Sequence, residues 1–218
     1  INNILAPMLM ITPLLQDVVT DAESRQLLET VERNAQRGAD IIRQLLTFAR
    51  GVPGARVPLP VQHLLRDMER LLRETLPRDI DVRVRVARGL WPVRGDLTQV
   101  HQVLMNLCVN ARDAMPAGGV LRIEADNARI EAPVEGAVPS AVAGAYVRLL
   151  VADTGVGIPP EQLDLIFDPF FTTKPVGTGT GLGLSTVLGI VRSHDGFVRV
   201  RSRIGEGTAF EVHLPAIE

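Results

Sequence analysis

The sequence is poor in cysteine and has no long apolar run. Cys108 is the single cysteine among 218 residues, which excludes an internal disulfide bond and is typical of a reducing compartment. No run of apolar residues is long enough to span a bilayer, and no secretion signal is present. We therefore expect no membrane segment in this chain and a cytoplasmic location, with membrane anchoring left open for a longer parent protein.

Aromatic residues and net charge are scarce as well. Aromatics make up 4% of the residues and hydrophobic residues 46%, so the core must be built mainly from Leu, Val, Ile and Ala. The formal net charge of -2 gives no reason to expect nucleic acid or an anionic membrane as a partner. A chain of this length can form one large domain or two small ones.

The first fifty residues carry a helical period. Apolar residues advance in alternating steps of four and three from Ile4 to Val18, and the rhythm returns after a polar break. This pattern predicts two antiparallel helices over residues 1–50. The Gly- and Pro-rich residues 51–60 that follow are expected to form a linker or an extended entry strand. A second apolar stripe, which includes Phe48, favours pairing of two such hairpins in a homodimeric four-helix bundle. A hairpin that lies on its own domain is the alternative.

Residues 61–218 alternate between helical and strand-like patterns. Helical periodicity covers residues 61–76, 97–115 and 184–193. Apolar and polar residues alternate over residues 80–86, 120–128, 145–151, 197–203 and 208–214. Helices grouped against a mostly antiparallel sheet predict an α+β fold, an α/β sandwich domain over residues 61–218. Residues 155–183 are rich in Gly, Pro and Thr, and a loop of this size is usually a lid or a binding loop.

The segment from Gly177 to Leu184 has glycine at four alternate positions and leads directly into a predicted helix. Backbone N–H groups and the positive end of a helix dipole together form an anion site suited to phosphate. The glycine spacing matches neither the Rossmann fingerprint nor the P-loop. Taken alone, the segment could also be a flexible connection.

Two further segments carry polar residues in informative positions. Asp153 ends an apolar strand before Thr-Gly-Val-Gly, so its carboxylate could accept a hydrogen bond from an exocyclic amine; a simple turn residue is the alternative. Asn106, Asn110 and Asp113 are spaced by four and three and share one helical face. An Asn oxygen can join phosphate oxygens around Mg²⁺, although an ordinary amphipathic helix would also account for the spacing.

In their order along the chain, these segments resemble the motifs of the sensor histidine kinases, in the wider family that includes gyrase, heat-shock chaperones and mismatch-repair ATPases. The resembling motifs are the N box at 106–114, the G1 box at 153–157, the F box at 167–171, the G2 box at 177–184 and a final glycine motif at 205–208. The resemblance covers essentially the whole chain.

The resemblance implies a site for ATP and Mg²⁺. Asp153 would bind the adenine amine with support from Thr208. Asn110 would ligate Mg²⁺, and Asn106 would lie beside the phosphates. Lys174 would neutralise phosphate charge, although it could equally be a solvated loop lysine. The nucleotide-binding residues implied by the family are Asn106, Asn110, Asp113, Asp153, Gly155, Gly157, Ile158, Lys174, Gly179, Thr180, Gly181, Leu182, Gly183, Leu184, Ser185 and Thr208.

Asn106 bears on the fate of the bound ATP. In the hydrolytic relatives a Glu stands one turn before the Mg²⁺-binding Asn and activates water, whereas an Asn cannot act as a general base at neutral pH. The resemblance therefore implies a protein-histidine kinase. The γ-phosphoryl group would pass from ATP to a histidine of the hairpin and then to an Asp of a response-regulator receiver domain. Asn106 and Lys174 are the candidate catalytic residues of the ATP site.

The first residues, from Ile1 to Pro7, resemble the stretch that follows the phosphoacceptor histidine. The acceptor is then expected two positions before Ile1, and we expect the four histidines of the chain to be structural or solvent-facing. The chain as given should bind ATP without phosphorylating itself. Asn3 matches the family position that orients water when a response regulator is dephosphorylated, which makes it a third candidate catalytic residue.

Three rival functions remain from the sequence alone. An ATPase or ATP-driven clamp of the same superfamily would turn over ATP without an acceptor. A non-catalytic, ATP-gated scaffold would use the hairpin to dock a receiver domain, but the intact glycine motifs argue against a degenerate nucleotide site. A serine/threonine kinase of the superfamily is disfavoured by the hairpin.

Overall fold

The computed structural model describes residues 56–132, 134–174 and 179–217, together with residues 11, 12, 15, 19, 21, 24–28, 30 and 31. The chain divides into two compact units, Ile1–Val52 and Pro53–Glu218. Most of the predicted hairpin, Asn3, linker residues 51–55 and the first two residues of the glycine-rich segment lie outside the described residues.

Among the described residues of the first unit, residues 11, 12, 15, 24–28, 30 and 31 are helical. Asp21 accepts a hydrogen bond from the Ser24 N–H (2.7 Å), an interaction that is common at a helix N-terminus. Leu27 and Val31 are large apolar side chains that stay exposed. The single chain therefore leaves apolar surface of this unit uncovered.

The second unit contains three helices and eight strands within its described residues. The helices are α1 (Val61–Thr75), α2 (Leu97–Ala114) and α3 (Gly183–Ser193). The strands are β1 (Val57–Pro58), β2 (Ile80–Val86), β3 (Arg94–Gly95), β4 (Gly119–Ile130), β5 (Ala137–Val138), β6 (Gly144–Asp153), β7 (Phe197–Arg203) and β8 (Gly207–Pro215). A single 3₁₀ turn, Pro160–Gln162, precedes the glycine-rich segment.

Six of the strands form one sheet in the order β2-β4-β6-β8-β7-β5, and β1 pairs with β3 in a separate two-stranded sheet. The pair β2–β4 is parallel and all other pairs are antiparallel. The apolar sides of the helices pack on one face of the large sheet, and this layer is the core. The predicted α+β class and α/β sandwich are therefore confirmed.

Helix α2 shows how local sequence fixes this arrangement. The Asp96 carboxylate accepts hydrogen bonds from the N–H groups of Thr98 (2.8 Å) and Gln99 (3.2 Å), which satisfies donors that the first helical turn leaves free. The side chains that α2 buries follow the 3.6-residue period: Val100, Val103, Leu104, Leu107, Cys108 and Ala111. Burial in this apolar layer raises the pKa of the Cys108 thiol to about 12, so it remains protonated.

Two histidines serve the fold, as expected. The buried His194 ring accepts a hydrogen bond from the Asp96 N–H at Nε2 (3.0 Å) and donates from Nδ1 to the Ile190 carbonyl (2.8 Å). His194 therefore joins the end of α3 to the start of α2. His213 stacks on Phe197 with ring centroids 4.3 Å apart, and burial lowers its pKa to about 4.

The strand β1 enters the unit beside this junction. Its residue Val57 pairs with Gly95, which directly precedes the Asp96 cap of α2. Arg56, one residue earlier, donates hydrogen bonds to the Asp195 carboxylate (2.7 Å) and to the Ser193 carbonyl at the end of α3. The N-terminal end of α2 and the C-terminal end of α3 are thus held by the same short segment, residues 56–57.

No helix in the described part of the chain is both long and apolar enough to cross a membrane.

We expect Leu107→Ala to lower the free energy of unfolding by about 2–5 kcal/mol, because Leu107 is 1% exposed between α2 and the sheet. Leu97 lies on the same helix and is 44% exposed, so Leu97→Ala should change the free energy by less than about 0.5 kcal/mol. Urea unfolding followed by the fluorescence of Trp91, the only tryptophan, reports on this unit. Equal losses in both variants would show that the buried face of α2 is assigned wrongly.

Candidate functional site

Asp153 is the last residue of β6 and is 9% exposed. Its Oδ1 accepts hydrogen bonds from the N–H groups of Gly155 (2.8 Å) and Thr208 (3.3 Å). Burial raises the pKa of this carboxyl above its ordinary value, and the two hydrogen bonds only partly oppose the shift. Oδ2 has no hydrogen-bond partner among the described residues, so it is the acceptor that a ligand would meet.

Gly155 brings the loop after β6 against the end of α2. A Cβ at this position would lie 2.3 Å from the Ala114 carbonyl oxygen, and the next residue, Val156, donates its N–H to that oxygen (2.9 Å). A larger residue at 155 would force the loop away from the helix. This contact joins the Asp153 turn to the helix that carries the two asparagines.

Ser202 supports the same turn, although the sequence reasoning missed it. Its Oγ accepts the Ile158 N–H (2.7 Å) and lies 2.9 Å from the Thr208 hydroxyl. The signal in the sequence is that Ser202 shares the inward face of β7 with Val198 and Val200, where a hydroxyl needs a partner. Ser202 thereby fixes the Asp153 turn to the β7–β8 hairpin.

The predicted polar face of α2 is directed towards the glycine-rich segment and the start of α3. The Asn106 amide donates to the Gly183 carbonyl (3.3 Å), and the Asn110 Nδ2 would lie 3.8 Å from a Cβ at Gly183. Asn110 is half-buried, and its side chain has no hydrogen-bond partner among the described residues. The structure therefore leaves Asn110 available to a ligand while Asn106 is already used.

Lys174 contacts the C-terminal end of the same face of α2, at Asp113. Its Nζ is 2.5 Å from Oδ2 of Asp113, while the Arg112 guanidinium holds Oδ1 at 2.6 Å. Partial burial acts to raise the Asp113 pKa, but the hydrogen bonds from Lys174 and Arg112 outweigh it and lower the pKa. The contact of Lys174 in the described residues is thus a carboxylate, and its role in neutralising phosphate charge stays a prediction.

Helix α3 begins with donors that no side chain caps. Its N-cap residue is Leu182, which makes no side-chain capping bond, in contrast to Asp96 on α2. The hydroxyls of Ser185 and Thr186 donate to the Leu182 carbonyl (3.0 and 2.7 Å), so they do not satisfy the free N–H groups of the first turn. The amides and the positive end of the dipole remain available to an anion.

Phe167, Phe170 and Phe171 belong to the F box, and the family resemblance predicts that all three anchor the glycine-rich loop in apolar surface. Phe167 and Phe171 are partly buried against the core. For Phe170 the prediction is wrong, because its side chain is 59% exposed. It acts through its backbone instead: its N–H donates to the Gly181 carbonyl (3.0 Å), and Gly181 has φ +65°, a conformation suited to glycine.

The predicted nucleotide-binding residues therefore fall into three neighbouring groups. The end of β6 and the start of β8 contribute Asp153, Gly155, Gly157, Ile158 and Thr208. Helix α2 contributes Asn106, Asn110 and Asp113, and the segment leading into α3 contributes Gly179, Thr180, Gly181, Leu182, Gly183, Leu184 and Ser185. Lys174 is tied to the second group through Asp113.

Comparison with known families gives two matches. The family described as "Histidine kinase-, DNA gyrase B-, and HSP90-like ATPase" matches residues 95–218. The "His Kinase A (phospho-acceptor) domain" matches residues 1–54.

Among curated proteins, "Sensor kinase CckA" of Brucella abortus (strain 2308) is 39% identical over 99% of this chain and 23% of its own length. "Sensor histidine kinase ZraS" of Escherichia coli (strain K12) is 32% identical over 88% of this chain and 38% of its own length. The chain thus spans well under half of these relatives.

Solved structures of histidine kinases match the fold. Full-length ShkA in complex with AMPPNP matches with a TM-score of 0.75 at 25% identity, over 99% of this chain and 43% of that one. The catalytic domain of histidine kinase ThkA matches with a TM-score of 0.59 at 30% identity, over 75% of this chain and 97% of that one. The chain therefore belongs to the histidine kinase-, DNA gyrase B- and HSP90-like ATPase family and, within it, to the sensor histidine kinases.

Proposed function

We propose that the second unit binds Mg²⁺–ATP between α2, the start of α3 and the end of β6, as the core of a two-component histidine kinase. The observation that carries this proposal is the Asp153 carboxylate. It is buried, held at one oxygen by two backbone N–H groups, and open at the other oxygen. A donor such as the adenine amine would satisfy Oδ2 in a place where water is largely excluded.

The phosphates would lie where α2 faces the start of α3. The uncapped amides of α3 and residues 179–185 would bind phosphate oxygens, and the free Asn110 amide would supply an oxygen ligand to Mg²⁺. No three His, Cys, Asp or Glu side chains converge as a metal cage in the described part of the chain. The ion would therefore take its other ligands from phosphates and water, as Mg²⁺ commonly does.

Asn106 supports transfer of the γ-phosphoryl group to a nucleophile other than water. Its amide is a donor to the Gly183 carbonyl and cannot deprotonate water at neutral pH. Its position makes it a residue that holds the start of α3 beside the phosphates. Lys174 would supply positive charge to the same region, so positioning and charge neutralisation would supply the catalysis.

The acceptor would be a histidine of the phosphoacceptor domain, and a receiver-domain Asp of a response regulator would take the group next. The family match over residues 1–54 supports this route. The exposed Leu27 and Val31 support a homodimer through that domain. Asn3 would orient water when the regulator is dephosphorylated. We place these reactions in the cytoplasm, where ATP is available.

We expect Asp153→Asn to weaken Mg²⁺–ATP binding by about a hundredfold, measured by calorimetry. The two N–H donors would retain the amide oxygen of the new side chain, so its NH₂ group would take the place of Oδ2 and face the adenine amine. Asp126→Asn is the matched control, because Asp126 also lies on the sheet and pairs with Arg148. Wild-type affinity in Asp153→Asn would sink the placement of the adenine site.

The same variant should be at least as stable as the parent chain at pH 7. Because the Asp153 pKa is raised in the folded protein, the ionised carboxylate lowers the free energy of unfolding at every pH above that folded pKa. The advantage of Asp153→Asn should therefore shrink as the pH falls through the folded pKa towards the ordinary value of 3.8. Urea unfolding at pH 7 and at successively lower pH measures this difference in the free energy of unfolding. If Asp153→Asn were less stable than the parent chain at pH 7, the unfavourable burial of the Asp153 charge would be contradicted.

For the chain as given, we expect release of phosphate from Mg²⁺–ATP no faster than in buffer alone, because Asn106 is no general base. A polypeptide that also includes the acceptor histidine expected two positions before Ile1 should instead acquire acid-labile, base-stable phosphate on that histidine. Replacement of that histidine by Gln is the control. Rapid phosphate release without the acceptor would assign the protein to the hydrolytic branch of the family.

A further inference from the structure

Asp113 is an unusual member of a phosphate-binding face. It follows Asn110 by three residues on α2, so the two side chains lie on the same side of the helix. The Lys174 and Arg112 side chains lower the pKa of Asp113, so its carboxylate is ionised at neutral pH. A carboxylate next to a triphosphate is repelled by it, and direct binding of the phosphates by Asp113 is therefore unfavourable.

The two oxygens of Asp113 are each occupied by a different cation. Oδ1 accepts two hydrogen bonds from the Arg112 guanidinium, at 2.8 and 2.6 Å. Oδ2 accepts one from the Lys174 ammonium at 2.5 Å. The cluster of these three side chains has a net charge of one positive unit, so it attracts an anion although a carboxylate is at its centre.

Lys174 keeps donors free in this arrangement. An ammonium group has three N–H donors, and Asp113 uses one of them. The Lys174 side chain is 34% exposed, so its remaining donors reach a space that a ligand can enter. A lysine is a long side chain that loses much rotational freedom when it is fixed in place, and Asp113 already imposes that restriction without ligand.

We propose that Asp113 is a positioning residue, which holds the Lys174 ammonium at the C-terminal end of α2 so that its free donors meet the terminal phosphate of ATP. This inference rests on the proposed ATP site. It assigns to Asp113 an action through Lys174, in place of direct contact with nucleotide or metal. The gain in nucleotide affinity is confined to nucleotides whose terminal phosphate reaches Lys174.

The test is a double-mutant cycle on the 218-residue chain, with calorimetry of Mg²⁺–ATP and of AMP. The variants are Asp113→Asn, Lys174→Gln and the combination of both. Asp126→Asn is the matched control, because its side chain is 26% exposed, as is that of Asp113, and it also pairs with an arginine. The fluorescence of Trp91 during urea unfolding checks that each variant is folded.

We expect Lys174→Gln to weaken ATP binding by about tenfold and Asp113→Asn by about threefold to tenfold, as for loss of a charge-assisted hydrogen bond. AMP affinity should stay unchanged in both. In the Lys174→Gln background, Asp113→Asn should have no further effect, because the residue that it positions is gone. Asp113→Glu should recover part of the loss, and Asp126→Asn should behave as the parent chain.

Three results would overturn the inference. An undiminished effect of Asp113→Asn in the Lys174→Gln background would mean that Asp113 acts directly, for example through the metal. Tighter ATP binding by Asp113→Asn would mean that Asp113 competes with the nucleotide for Lys174. An equal loss of AMP binding would point to a general structural role. A parent chain that binds no ATP would instead refute the proposed function itself.

Discussion

The Asp153 carboxylate has to carry its charge at the end of a strand that is almost closed to water. Burial of a charge is unfavourable unless hydrogen bonds replace the lost water, and here two backbone N–H groups do so at one oxygen only. Both donors come from glycine-containing segments, the turn at Gly155 and the start of β8. The second oxygen has no protein partner in the described structure, so it can accept a hydrogen bond from water or from a ligand.

Helix α2 connects this charge to the rest of the site. One side of the helix is part of the core, and the opposite side presents Asn106, Asn110 and Asp113 to the glycine-rich segment and α3. The carbonyl of Ala114 accepts the Val156 N–H, so the end of α2 is also tied to the turn after Asp153. A single rigid element thereby fixes the spacing between the adenine end and the phosphate end of the proposed site.

Periodicity was sufficient to predict the long elements, because each buries a regular stripe. The helix predicted over 61–76 and the strand over 197–203 agree with α1 and β7 within one residue. The two-residue strands β3 and β5 were missed, since so short a segment has no alternation to read. Strand β5 lies in the connection between β4 and β6, and it pairs with β7 at the edge of the sheet.

The site was predictable as a set of motifs but not in its contacts. The spacing of the asparagines placed them on one face of a helix, and the structure brings that face to Gly183. Ser202 and the backbone role of Phe170 depend on pairing between residues distant in sequence, which no local pattern records. The assignment of domains, of Asn3 and of the individual ligand contacts stays a prediction.

One junction joins the N-terminal end of α2 to the C-terminal end of α3. Arg56 and Val57 hold the end of α3 and the residue before the cap of α2, and His194 bridges the two helices at the same place. These helices carry the polar face and the uncapped amides of the proposed nucleotide site. Residues 56–57 are therefore in contact with both helices, at the ends that lie away from the proposed nucleotide site.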